Sequence, residues 1–192
     1  MDIIKKLAQE LTIKEEQAKA AVQLIDEGNT IPFIARYRKE MTGALNDETL
    51  RNLHERLLYL RNLEEKKEQV INAITEQGKM TDDLKKKILA AETLVAVDDL
   101  YRPYRPKKQT RATKAKEKGL EPLANILLLQ ATSKSMEEEA QSFVDEAKGV
   151  TNAKEALAGA KDIIAEMIAD KADYRKSIRN CTMKQGRLVV KA

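Results

Sequence analysis

Residues 47–77, DETLRNLHERLLYLRNLEEKKEQVINAITEQ, run without a glycine or a proline. Leu50, Leu53, Leu57, Leu60, Ile71 and Ile74 fall within this stretch at three- and four-residue steps, the period of one helical face. Asn46 stands where a side-chain oxygen caps a first turn, and Gly78 where a left-handed backbone closes a last one. The stretch reads as one helix, roughly 46 Å long at about 1.5 Å per residue. Glu64 and Lys67 interrupt the apolar seam. The expectation is a helix packed at both ends and solvated in its middle.

Outward from this element the same punctuation recurs. Thr12-Ile13-Lys14-Glu15 has the pattern of a capping box, opening a helix with Ile13, Ala18, Ala21, Val22 and Ile25 along one face and a stop at Gly28. Pro32 suits a first helical turn and starts a short helix through about Glu40. Thr81 and Thr93 open two more, the second stopping before Pro103. Further helices are expected near 111–118, 122–131, 136–148, 153–169 and 171–182. Gly159 lies inside EALAGAKDIIAEMIADKAD, where a glycine costs up to about 1 kcal/mol. Close approach of a neighbouring helix is the structural reason to keep it there. Only Arg187 to Lys191 reads as a strand, too little for a sheet. The expected fold is all-α, with a candidate helix-turn-helix at 12–40, the long helix at 47–77, a basic loop and helix at 101–118, and C-terminal helices over 121–182.

Composition narrows the function. The chain has 192 residues, 42% hydrophobic and 34% charged, which suits a globular protein with a real core. The run Ile126 to Leu129 falls far short of the ~20 apolar residues that span a bilayer. Residues 1–16, MDIIKKLAQELTIKEE, turn polar too soon for a signal peptide. Cys181 is the single cysteine, so no disulfide framework is expected, and a reducing cytoplasm is the simplest compartment. His54 is the single histidine, so a zinc site lacks its ligands, and a histidine-based triad would have to use His54, which lies inside the long helix with no serine nearby in sequence. No glycine-rich phosphate loop occurs. Asp98-Asp99 and Glu137-Glu138-Glu139 read as surface charge. No cofactor, no metal and no enzymatic activity are expected; binding or scaffolding is.

Positive charge is concentrated. Residues 101–118, YRPYRPKKQTRATKAKEK, hold Arg102, Arg105, Lys107, Lys108, Arg111, Lys114, Lys116 and Lys118 against Glu117 alone, a net +7 in a chain whose total is +4. Pro103 and Pro106 predict a stiffened, extended entry, and Thr110 caps the helix that follows. Tyr101 and Tyr104 place aromatic faces among the guanidinium groups. Clustered cations neutralise phosphates and aromatic faces stack on unpaired bases, so the segment is a candidate nucleic-acid site. The alternative is a loop docked on acidic helix faces or on another protein. A second candidate is PFIARYRKE at 32–40, where Phe33, Ile34 and Tyr37 share a face expected in the core. Arg36, Arg38 and Lys39 are then left for a DNA backbone or groove. Arg175, Lys176, Arg179, Lys184 and Arg187 read as a solvated helical face.

TIPFIARYRKEMTGALNDE at 30–48, LRNLHERLLYLRNLEEKKEQV at 50–70 and LYRPYRPKKQTRATKAKEKGLEPLA at 100–124 closely resemble the bacterial Tex family of transcription accessory factors. EALAGAKDIIAEMIADKAD at 155–173 resembles the same amino-terminal region. The resemblance implies a cytoplasmic, nucleic-acid-binding protein whose partners include RNA or DNA, the rest of the parent chain and the transcription machinery, and no membrane. It also implies that the family's RNase H-like, helix-hairpin-helix and OB-fold domains lie outside these 192 residues. By position, the family's basic loop falls on Tyr101 to Lys118, with Gln109 where a basic residue is common. No catalytic residue carries over. The expectation is therefore a helical scaffold whose basic loop adds sequence-nonspecific nucleic-acid contacts. The alternatives are a protein-docking module and a sequence-specific helix-turn-helix.

Overall fold

The computed structural model describes residues 2–106, 109–130 and 132–190. Among them are eleven α-helices, two short 3-10 turns and no strand, so the all-α expectation holds. Residues 187–190 are exposed and irregular, and no described residue pairs with them in a ladder; Lys191 lies outside the described residues. The chain forms two compact units, Met1–Val97 and Asp98–Ala192, within the stretch read from sequence as one domain.

In the first unit, α1 (Ile3–Leu11), α2 (Glu15–Asp26) and α3 (Ile31–Tyr37) pack on α4 (Asp47–Glu76). Thr12 does not open a helix. It closes α1 in the left-handed region at φ 55°, and its N–H donates to the Ala8 carbonyl. The start of α2 is held instead by Gln17, whose side-chain oxygen accepts the Lys14 N–H at 3.1 Å. This is half a capping box, since a lysine side chain has no oxygen to complete it. Asn46 caps α4 as expected, accepting the Thr49 N–H at 2.7 Å.

The seam of α4 is continuous, contrary to the solvated middle expected. Leu50, Leu53, Leu57, Leu60, Leu63, Lys67, Val70 and Ile74 are all buried, and Ile71 is only partly so. Lys67 takes its place in the stripe because its ammonium is satisfied, donating to Glu64 at 2.8 Å and to the Leu89 carbonyl at 2.9 Å. Leu89 belongs to the last turn of α5 (Asp82–Ala90), where the open carbonyls attract a cation. Thr81 caps α5 and Thr93 caps α6 (Leu94–Tyr101), each through its hydroxyl.

The second unit is built on α10 (Ala153–Ala169), against which α7 (Arg111–Glu117), α8 (Glu121–Leu129) and α9 (Met136–Gln141) pack. Its core joins Ala112, Ala115, Leu120, Leu123, Ala156, Ala160 and Ile163. The helix expected over 136–148 breaks after Gln141. Asp145 and Val150 exchange backbone hydrogen bonds, the Asp145 carboxylate caps a 3-10 turn at Glu146–Lys148, and Val150 is buried. Gly159 has the role expected of it. A Cβ there would run into the Leu120 side chain and lie 3.2 Å from the Ala115 Cβ.

Gly159→Ala therefore lowers stability, although alanine is the better helix former by about 1 kcal/mol. Overpacking costs about 1–3 kcal/mol and outweighs that gain. Urea unfolding followed by circular dichroism tests it, and an unchanged or raised midpoint would show that α7 and α10 have room to spare.

Candidate nucleic-acid interface

The basic segment starts where α6 ends. Pro103 does not hold an extended chain; it sits early in a 3-10 turn, Arg102–Tyr104, which the Arg105 N–H closes on the Tyr101 carbonyl at 3.1 Å. Proline's fixed φ and missing N–H suit such a turn as well as an extended run. The chain becomes extended at Arg105. Thr110 caps α7, its hydroxyl accepting the Thr113 N–H at 3.0 Å. Ala112 and Ala115 are the buried face of α7, which leaves Arg111 and Lys114 exposed on the other.

The cations of this segment differ in how far they are committed. Arg102 donates to Asp170 at 2.8 Å, and that carboxylate is nearly buried. Arg105 lies 2.9 Å from Asp98 and over the Tyr101 ring at 5.5 Å, with both charges half exposed. Lys116 faces Glu121 at 3.1 Å, again in water. Lys118 donates to the Gly149 carbonyl at 2.7 Å. Arg111 is 86% exposed and only loosely placed against Asp162 at 3.4 Å. Lys114 is exposed and makes no ion pair among the described residues. Tyr101 and Tyr104 are half-buried. Lys107 and Lys108 lie outside the described residues.

A polar clamp that the sequence did not disclose stands beside this segment. Asp99, on α6, is 5% exposed, not surface charge. Arg175 donates to one of its oxygens at 2.6 Å and Arg179 to the other. Both arginines come from α11 (Ala172–Gln185), at i and i+4, so two of the five cations expected on a solvated face are folded onto a carboxylate, while Lys176, Lys184 and Arg187 are exposed as expected. Burial pushes the Asp99 carboxyl up, and the hydrogen bonds and charges of Arg175 and Arg179 more than offset this, holding it below the ordinary value. Three residues separated by 76 and 80 positions give no local signal.

The second candidate departs from its expected shape. α3 ends at Tyr37, not near Glu40; Arg38 is its C-terminal cap and Lys39 lies in the following turn. Only Arg36 of the three cations is on the helix. Ile34 is buried, but Phe33 is 36% and Tyr37 60% exposed, so the aromatic pair expected in the core is at the surface. In a two-turn helix on the edge of α4, only the residue facing α4 is covered. His54 is half-buried and Cys181 exposed. Among the described residues no group of three His, Cys, Asp or Glu side chains is placed to hold a metal.

Two family models match the chain, the Tex-like protein N-terminal domain over residues 1–75 and the Tex central region-like model over residues 131–192. The transcriptional accessory protein Tex of Neisseria gonorrhoeae is 47% identical over 94% of the chain and 23% of its own length. Protein tex of Bordetella pertussis is 47% identical over 98% of the chain and 24% of its own length. The human S1 RNA-binding domain-containing protein 1 is 32% identical over 96% and 18%. The chain thus spans about a quarter or less of the length of the curated relatives it matches.

The clamp has a pH signature. A carboxyl whose folded pKa lies below its unfolded value contributes stability that is complete above the unfolded value, ordinarily near 3.9, and lost as pH falls through the folded one. Asp99→Asn should cost toward the lower end of about 1.5–3 kcal/mol at neutral pH, because both guanidinium groups keep partial access to water. The gap between wild type and variant should then close as pH falls below about 4. Urea melts from pH 7 to pH 3 test this; a constant gap would assign the loss to packing.

Proposed function

We propose that this chain, which belongs to the Tex family of transcription accessory proteins through its N-terminal and central regions, is a non-catalytic helical scaffold that adds sequence-nonspecific nucleic-acid contacts through residues 101–118. The observation that carries this reading is the outward face of α7. Ala112 and Ala115 bury its inner side, so Arg111 and Lys114 stand in water at the centre of a +7 segment.

The neighbouring ion pairs do not bar a phosphate. Exposed pairs such as Arg105–Asp98 and Lys116–Glu121 are worth about 0–1 kcal/mol, so a phosphate can take the carboxylate's place. Arg102 is different. Its carboxylate, Asp170, is nearly buried, and the pair belongs to the scaffold. Phosphate contacts of this kind position a strand without reading its sequence. The names of relatives support the class of partner, one being a transcriptional accessory protein and another carrying an S1 RNA-binding domain. On this reading the partners are RNA or DNA, the other domains of the parent protein and the transcription machinery, and the compartment is the cytoplasm. No described helix is long and apolar enough to cross a membrane.

A second reading, a protein-docking module, is favoured by the carboxylates facing Arg102, Arg105, Arg111 and Lys116. Fluorescence anisotropy with single-stranded RNA, single-stranded DNA and duplex DNA across a salt series separates the two. Four phosphate contacts give a log–log slope of about −3 on single strands and a steeper one on duplex. Charge reversal of Arg111 and Lys114, or of Lys107 and Lys108, should weaken every sequence about equally. Full-strength binding by both double variants would remove residues 101–118 from the site and favour docking.

A further inference from the structure

Unit one holds five arginines, and three are engaged by carboxylates: Arg51 by Asp47, Arg56 by Glu10 and Arg61 by Asp26, all within 2.7 Å. The other two, Arg36 and Arg38, make no ion pair among the described residues, and they flank the same exposed ring, Tyr37. Cations with no carboxylate partner, beside an exposed aromatic face, present charge and stacking surface together.

The geometry around them is built and fixed. Phe33 and Tyr37, one helical turn apart, lie with centroids 5.2 Å apart and planes tilted by 46°. The Arg38 guanidinium covers Phe33 at 5.2 Å, which leaves Tyr37 as the open ring of the pair. Arg36, Tyr37, Arg38, Lys39, Glu40 and Met41 line a shallow hollow of about 400 Å³. Behind it, the buried Thr42 donates its hydroxyl to the Arg38 carbonyl, and Gln17 donates to the carbonyls of Thr42 and Gly43 at 3.2 and 2.9 Å. Gly43 is at φ 60°, a left-handed backbone that suits glycine, and a Cβ there would lie 2.7 Å from the Gln17 amide and push that side chain aside. The backbone that displays the cations is thus pinned before any ligand arrives, which lowers the ordering cost of binding.

We propose that this hollow is a second nucleic-acid site, specific for single strands, in which an unpaired base stacks on Tyr37 while Arg36 and Lys39 hold the flanking phosphates. Charge selects the occupant: three cations against Glu40 alone call for a polyanion, and the open ring calls for a planar partner. A duplex offers the phosphates but keeps its base faces stacked, so only a single strand meets both demands. The proposal does not rest on the reading of residues 101–118.

The test uses the full chain, a fluorescein-labelled dT 12-mer, the same oligonucleotide with a central 2-aminopurine, and a duplex of equal length. Tyr37→Ala should weaken the single strand about 5- to 100-fold, the scale of one base stacked on an aromatic ring, and leave duplex binding unchanged. Tyr37→Phe should restore both affinity and the quenching of 2-aminopurine that stacking produces. Arg36→Glu with Lys39→Glu should flatten the salt slope on the single strand by about 1.4, two phosphates at about 0.7 each. Tyr37 is exposed, and circular dichroism confirms that its variants fold. Wild-type affinity and quenching in Tyr37→Ala would overturn the proposal, and if Arg111→Glu with Lys114→Glu then abolishes binding, the reading of residues 101–118 stands without it. The converse pattern would keep the hollow and remove residues 101–118. Tyr37-dependent binding of polyglutamate with none of the dT 12-mer would make the hollow a docking site for acidic protein and overturn the proposal.

Discussion

A charge taken out of water must meet an opposite charge or a full set of hydrogen bonds, and in a chain that is one-third charged this requirement decides much of the packing. Asp99 shows how. Its carboxylate is buried at the end of α6, and two arginines from α11 close on it, one per oxygen. No residue of α11 is fully buried, so apolar burial does little to hold that helix. Asp170 meets the same requirement from the other side, capping α10 while accepting from Arg102. The last two helices and the turn after α6 are joined by ion pairs at the edge of an alanine-rich core.

The same requirement sorts the cations into two kinds. Those needed to neutralise buried carboxylates, Arg102, Arg175 and Arg179, are part of the framework, whatever their place in a basic run. Those that meet only exposed or half-buried carboxylates or none, Arg111, Lys114, Arg36 and Lys39 among them, are free to meet an external anion at small cost. A run of positive charge in a sequence is therefore not one site. Part of it holds the molecule together, and part of it is presented to solvent.

What the sequence made legible follows the range of the interactions. Helix starts at Asn46, Thr81, Thr93 and Thr110 were readable because a cap is a contact over two or three residues. Gly159 was readable because a glycine among good helix formers has few other reasons to be there. Thr12 was not, because the same residue types that open α2 sit at the end of α1, whose weight comes from packing on α4. Phe33 and Tyr37 were misplaced because a helix of two turns does not set its own buried face. Lys67 and Asp99 were misplaced because their partners, Leu89, Arg175 and Arg179, lie 22, 76 and 80 residues away.

Lys67 has one more consequence. A stripe of leucines alone would accept α5 at several offsets, since one leucine packs much as another does. The ammonium in the stripe removes that degeneracy. It is satisfied only when the last turn of α5 brings the Leu89 carbonyl to 2.9 Å, with Glu64 alongside. Moving α5 by a turn in either direction would take the Leu89 carbonyl away and leave the buried ammonium with Glu64 alone, a lost hydrogen bond that no leucine can replace. One polar residue in an apolar seam thus acts as an alignment key, selecting a single register from a set that hydrophobic burial alone would leave nearly equal in energy.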